Sequence, residues 1–238
     1  GLGDVYKRQN MTLMRTVCNW VRKQGVTNND PFFGYDMPKA LYGTPYFLTI
    51  QERDQVLDAD LTDDAELAEY RDMFVFQCMV GCRHSDLVTF TPKNIIDGVL
   101  EYIPIKTKGK LGDVVRVPLI PKAMAILDGH DHGDDEPIFP KHYNFKFNDA
   151  IRRILKRAKV NRVVTVINPK TRLEEKKPIS DVATSHLARR TFIGNLYRMV
   201  KDPDLVASMS GHAKGSVAFA RYRVIDDDMK KSLVELIQ

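Results

Sequence analysis

The sequence predicts a mainly α-helical domain with small antiparallel β-hairpins, and three observations predict it. Apolar residues recur at helical spacing through most of the longer segments, as between Tyr143 and Lys159. Two pairs of short runs with strand character, 99–105 with 114–119 and 163–167 with 174–179, are each joined by a turn-rich stretch. A concentration of Pro and Gly between positions 25 and 46 sets a lone N-terminal helix apart from all that follows.

Residues 1–9 show no periodicity and are left outside the fold reading, as the start of a fragment or an assembly scar. Met11, Leu13, Met14, Val17, Cys18 and Val21 define a helix over 11–23. A helix that short is marginal alone in water, so it belongs to a larger helical unit. Pro31, Pro38, Pro45, Gly25, Gly34 and Gly43 mark a linker. The expected organisation is therefore 1–27 as a fragment start and last helix of a truncated unit, 28–47 as linker, and 48–238 as the main domain.

That domain opens with Thr49 and Glu52 at capping-box spacing, ahead of a helix reaching about position 59. A second helix over 64–80 is apolar at Leu67, Met73, Phe74, Phe76, Cys78 and Val80, and Gly81 stops it. The first hairpin turns through KTKGKLGD. A short helix (121–127) and an acidic loop (128–136) follow. The helix over 143–159 buries Phe147, Ile151, Ile154, Leu155 and Ala158 and exposes Lys146, Arg152, Arg153, Lys156 and Arg157. The second hairpin turns at Asn168-Pro169. Ser185 caps a helix reaching Val200, Asp202-Pro203 opens the next, which ends at Ser210-Gly211, and Asp226 caps the last, with Met229, Leu233, Leu236 and Ile237 in one stripe.

Composition narrows the function classes. The 238 residues are 43% hydrophobic and 28% charged, the balance of an ordinary soluble globular protein rather than a disordered or fibrous one. No stretch approaches the ~18 apolar residues of a membrane span. Three cysteines (Cys18, Cys78, Cys82) build no disulfide framework, which points to a reducing cytoplasm. A net charge of +5 makes nucleic acid a reasonable partner.

Five sites along the chain carry chemistry. Arg83 lies in GCRHSDL just past the Gly81 stop, and Lys106 and Lys108 occupy the hairpin turn. His186 and Arg189, in SHLARR, are three apart and share a helix face. His212 follows Gly211, and Tyr222 comes ten residues later in FARYR. Singly, each has a bland reading as a solvated charge, a capping group or a core-edge phenol.

Together and in this order they resemble the tyrosine recombinase (phage integrase) family, from about Thr49 to the C-terminus. That family carries an Arg after a Gly-x-Arg turn, a hairpin Lys, His-x-x-Arg, Gly-His and a nucleophilic Tyr. The wording of YGTPYFLT, SHLARRTFIGNLY and FARYR is similar to integrases of Bacteroides-type mobile elements. The resemblance implies a site-specific DNA recombinase acting through a covalent 3′-phosphotyrosine. In it Arg83 and Arg189 stabilise the transition state, His186 assists proton transfer from Tyr222, His212 binds a non-bridging oxygen, and a lysine protonates the leaving 5′-oxygen. Lys106 matches the family's Lys-Thr dipeptide better; Lys108 competes because the turn is longer than usual.

It implies no metal and no ATP, and no Walker-type loop or acidic metal box stands in the sequence. It also implies double-stranded DNA as partner, a homotetramer on synapsed DNA with the C-terminal segment exchanged between protomers, a monomer without DNA, and a cytoplasmic, nucleoid-associated location. The 11–23 helix would be the last piece of a core-binding domain.

Rival readings stay in view. His130, Asp131, His132 and Asp134 in GHDHGDDE are possible metal ligands, against a bland solvated loop. Lys146, Arg153 and Arg157 form a stripe suited to DNA phosphates, against a solvated helix face. A non-catalytic DNA-binding regulator that kept the fold, and a relaxing topoisomerase of the same chemistry, are the alternatives.

Overall fold

The computed structural model describes residues 4–37, 43, 45–107, 114–130, 133–168, 170–200, 202–212 and 234–235. It divides into two units, one of residues 1–44 with 165–176 and one of residues 45–164 with 177–238.

In the first unit helix α1 (Asp4–Lys23) begins seven residues before the predicted start, so part of the segment without periodicity is helical. Leu13, Met14, Val17 and Trp20 on it are exposed. Gly25 and Gly34 adopt left-handed φ of 71° in the chain that follows.

The second unit is built on buried helices. In α2 (Ile50–Leu57) the predicted capping box is present: Thr49 Oγ1 accepts from Glu52 N–H at 3.1 Å, and Glu52 accepts from Thr49 N–H at 2.9 Å. Helix α3 (Ala65–Val80) is capped by Asp64, and every residue from Met73 to Val80 is buried. A helix apolar on all sides belongs in the interior, and α3 packs against α2, α5, α6 and α8. A short α4 (His84–Leu87) follows.

The hairpin is a three-stranded antiparallel sheet, β1 (Ile95–Ile96), β2 (Val99–Tyr102) and β3 (Val115–Pro118), in the order β1-β2-β3. The sequence reading lacked β1. Its signal was the Asp97-Gly98 dipeptide, with φ of 50° and 74°, a two-residue turn of the kind that joins antiparallel strands. Leu100 and Val117 pair across β2 and β3, both fully buried.

Helices α5 (Pro121–Asp128) and α6 (Asn144–Arg157) follow, the latter burying Phe147, Ile151, Ile154 and Leu155 as predicted. Strands β4 (Val163–Ile167) and β5 (Glu174–Pro178) form a separate two-stranded sheet. The strand expected to reach 179 stops at Pro178, and Ile179 opens a short helix α7 (Ile179–Val182).

Helix α8 (Ser185–Val200) starts at Ser185, which is helical rather than a cap. Its N–H goes to Asn148 Oδ1 at 2.8 Å and its hydroxyl to Asn144 Oδ1 at 3.3 Å, both on α6. Helix α9 (Pro203–Ser210) is capped by Asp202 and ended by Gly211, as predicted. Of the expected last helix only Val234 and Glu235 are among the described residues, and both are helical. No helix among the described residues is long and apolar enough to cross a membrane.

Candidate active site

Two glycine helix-stops organise the centre of this unit. Gly81 ends α3 with φ 69°, and a Cβ there would lie 2.2–2.9 Å from ring carbons of Phe192. Only glycine takes that φ without strain and also lets α8 come so close. The close approach brings Arg189 on α8, 2% exposed, to donate from Nη1 to the Gly81 carbonyl at 2.7 Å. A helix C-terminus is a natural seat for a guanidinium, because its last carbonyls lack partners and carry partial negative charge.

Arg83 follows in extended backbone (φ −80°, ψ 154°) at the head of α4. Its Nη1 lies 4.0 Å from Oδ2 of Asp86. Asp86 is 1% exposed, and its Oδ1 accepts the N–H of Ile105 at 2.9 Å. Ile105, expected to end the strand, instead opens a 3₁₀ turn, Ile105–Thr107, closed by Thr107 N–H to Pro104 O at 2.9 Å, and Lys106 stands exposed on that turn. One carboxylate thus ties the turn carrying Lys106 to the helix headed by Arg83. Arg83 Nη1 and Asp86 Oδ2 are both buried and make no hydrogen bond among the described residues.

His212 is delivered by the second glycine. Gly211 has φ 62°, and a Cβ on it would lie 3.0 Å from Val115 Cγ2 and 3.1 Å from Pro104 Cγ. The end of α9 is thereby seated on β3 and on the residue two before Lys106. Arg189 Nη2 reaches the His212 ring, 3.0 Å from Nδ1 and 3.3 Å from Nε2, and Ser210 Oγ lies 2.9 Å from Nδ1. A guanidinium can only donate, so the imidazole facing it presents a lone pair.

The electrostatics show the same convergence. Burial, then the cations Arg189 and Arg83, with His186 and Lys106 behind them, push the His212 imidazole down to about 3. His186 is an exposed residue, yet it is held below the usual histidine value, first by the partial burial of its ring and then by Arg190, Arg189, Arg83 and Lys106. Arg83, Lys106 and Arg189 therefore act on both imidazoles, which are neutral near pH 7. Residues from four separate parts of the chain meet here. Two guanidinium forks, one ammonium and two neutral imidazoles around one locus suit an anion with several oxygens.

Tyr102, 7% exposed, is a second phenol beside this locus, and burial raises it well above the usual tyrosine value. A phenol so placed holds its proton and serves packing, edge-on to Phe90 at 4.9 Å. Tyr222 and Lys108, the expected nucleophile and the competing lysine, lie outside the described residues.

Two residues of the α6 stripe pair with acids. Arg153 bonds Asp64 at 2.7 Å and Arg157 bonds Asp63 at 2.6 Å, while Lys146 lines a cleft with Phe145 and Arg152. In the acidic loop, His130 Nε2 lies 3.6 Å from Asp72, and Asp131 and His132 lie outside the described residues. Among the described residues no group of three His, Cys, Asp or Glu is arranged to hold a metal.

The model of the Phage integrase family matches residues 46–229. The chain belongs to the phage integrase family. No curated protein matches it in sequence. Solved integrases and recombinases share its fold at low identity. The Tn1549 transposon integrase in complex with circular intermediate DNA is 16% identical, with a TM-score of 0.66 over 98% of this chain and 80% of that one. The XerA recombinase is 16% identical with a TM-score of 0.57, over 85% of this chain and 67% of that one. The XerH recombinase, bound to palindromic difH substrate in a post-cleavage complex, is 16% identical with a TM-score of 0.57, over 81% of this chain. This integrase-family chain spans 53% of the XerH chain, a little over half.

Sequence reasoning missed Asp86, the residue that binds the Arg83 and Lys106 segments together. Its signal was a lone Asp three residues after Arg83, indistinguishable by pattern from a surface helix charge. Only the burial of Asp86 reveals its task.

Proposed function

We propose that the chain is a site-specific DNA recombinase of mobile-element type, cleaving and rejoining strands through a covalent 3′-phosphotyrosine on Tyr222. The observation that carries this is the buried Arg83 Nη1, which has no acceptor among the described residues and stands in the same cationic cluster as Arg189. A buried donor with no hydrogen-bond acceptor is costly, even with a carboxylate 4.0 Å away, and a phosphodiester oxygen would satisfy it. The DNA complexes of two fold neighbours, the Tn1549 integrase and XerH, support the same ligand.

In this mechanism the Tyr222 oxygen attacks the scissile phosphorus as its proton passes to neutral His186. Negative charge grows on the non-bridging oxygens, where Arg83, Arg189 and His212 bind it more strongly than in the ground state. The P–O5′ bond breaks, the 5′-oxygen takes a proton from Lys106, and the 3′-phosphate stays esterified to Tyr222. Attack by a 5′-hydroxyl reverses the steps and rejoins the strand. Because the ester conserves the bond, the chemistry runs on these side chains alone. Residues 48–238 supply it, 1–27 would be the end of a core-binding domain, and a tetramer would form on synapsed DNA from chains monomeric without it.

The test is a pool of nicked duplexes of randomised sequence, in which cleavage releases a short oligonucleotide and traps the adduct. Wild type retains a strand through denaturing electrophoresis, and Tyr222→Phe retains none. DNA binding by wild type with no trapped strand would replace this reading by that of a non-catalytic DNA-binding regulator.

A further inference from the structure

The segment that opens the second unit, Tyr46-Phe47-Leu48, is fastened to α8 at every residue. Leu48 N–H goes to Thr191 Oγ1 at 3.0 Å, and the Leu48 carbonyl accepts from Asn195 Nδ2 at 2.9 Å. A Cβ on Gly194 would lie 2.7 Å from the Phe47 ring, and the Arg198 guanidinium lies over that ring at 4.9 Å. The Tyr46 hydroxyl donates to the carbonyl of Val182, the last residue of α7, at 3.0 Å. The Arg190 guanidinium lies over the Tyr46 ring, 5.2 Å from its centroid.

Arg190 is four residues after His186, so the two side chains are neighbours on one face of α8. A long arginine on a helix surface ordinarily samples many rotamers, and seating it on an aromatic face restricts it. We propose that Tyr46 is a positioning residue of the active site: it parks the Arg190 guanidinium at a fixed distance from His186 and so sets the charge against which that imidazole takes up a proton. The groups facing His186 are Arg190 and Arg189 from α8, Arg83 from the head of α4, Lys106 from the 3₁₀ turn and His212 from the end of α9. Among these cations, Arg190 is seated on the ring of Tyr46, a residue from outside the cluster. Its relevance to catalysis rests on the recombinase reading; the positioning itself does not.

The test reads His186 directly. Its imidazole is titrated by NMR in the DNA-free protein, for wild type, Tyr46→Phe, Tyr46→Leu, Arg190→Gln and the Tyr46→Leu/Arg190→Gln double variant. Tyr46→Phe, which keeps the ring, leaves the His186 midpoint in place. Tyr46→Leu and Arg190→Gln each move it to higher pH, since a nearby cation is loosened or removed. The double variant moves it no further than Arg190→Gln alone. The acid limb of strand trapping on the nicked pool moves with the midpoint. An unmoved midpoint in Tyr46→Leu, or additive shifts in the double variant, overturns the proposal. Loss of trapping in wild type with the midpoints behaving as stated would overturn the recombinase reading and leave the positioning intact.

Discussion

Replacing Gly81 by Ala separates two contributions that meet at one atom. The φ of 69° is left-handed, and a Cβ in that region costs about 1–2 kcal/mol. The same Cβ would stand 2.2 Å from Phe192 Cδ1, so the ring must leave its place between α3 and α8. Forced repacking of a filled core costs about 1–3 kcal/mol, giving about 2–5 kcal/mol in total. Gly98 supplies the control: its φ is 74°, but nothing lies within 4 Å of a Cβ there, so Gly98→Ala meets the conformational penalty alone. At about 2–4 °C per kcal/mol for a chain of this size, Gly81→Ala lowers Tm by roughly 10 °C and Gly98→Ala by only a few degrees. Urea denaturation of both variants, with Phe192→Leu added to each, measures the difference. Phe192→Leu should recover part of the loss in Gly81→Ala and none in Gly98→Ala. Equal losses from the two alanines would refute the reasoning, because they would leave the Phe192 contact with no energetic content.

Two further outcomes follow from the buried polar groups. Asp86→Ala removes the acceptor of Ile105 N–H and the carboxylate facing Arg83, and should destabilise by about 3 kcal/mol. Asp86→Asn keeps an oxygen for Ile105 and loses less, as chemical denaturation would show; equal losses would contradict the bond assignment. The His212 imidazole sits at about 3 when folded, against about 6.5 when unfolded, so between those pH values the unfolded chain binds a proton that the native chain does not. Its contribution to stability is therefore present above about pH 6.5 and lost as pH falls toward 3. Tm measured from pH 7 to 4 should fall, and His212→Gln should fall less steeply; parallel curves would contradict the shift.

Much of this fold was legible because its signals are local. The Thr49–Glu52 box, the Asp202 cap and the Gly81 and Gly211 stops each act within one turn of chain, and each is where the sequence places it. The apolar face of α6 was legible for the same reason. What escaped were features decided by partners distant in sequence. Ser185 reads as a cap, but Asn144 and Asn148 on α6 take its hydrogen bonds. Lys106 reads as a turn residue and is one, but that Asp86 pins this turn through Ile105 N–H could not be read. The stripe of Arg153 and Arg157 was legible on α6, but their ion pairs with Asp64 and Asp63 were not. The order Arg83, Lys106, His186, Arg189, His212 was legible as a list; their shared field on the two imidazoles was not, because it arises only when four segments meet.

That meeting has a common physical device. Gly81 and Gly211 both end helices in left-handed backbone, and both are closely packed: a Cβ on Gly81 would clash with Phe192, and one on Gly211 would press tightly on Val115 and Pro104. Each is followed within two residues by a member of the cluster, Arg83 in one case and His212 in the other. The helix ends therefore do two jobs at once. Their tight packing fixes where the chain leaves the helix, to within the tolerance of a van der Waals contact. Their carbonyl-rich termini favour cations, and Arg189 takes the Gly81 carbonyl with one nitrogen while reaching His212, just past the other stop, with the second. A single buried side chain thus spans both glycine stops. The geometry of the cluster is set by core packing rather than by the mutually repelling charges that compose it.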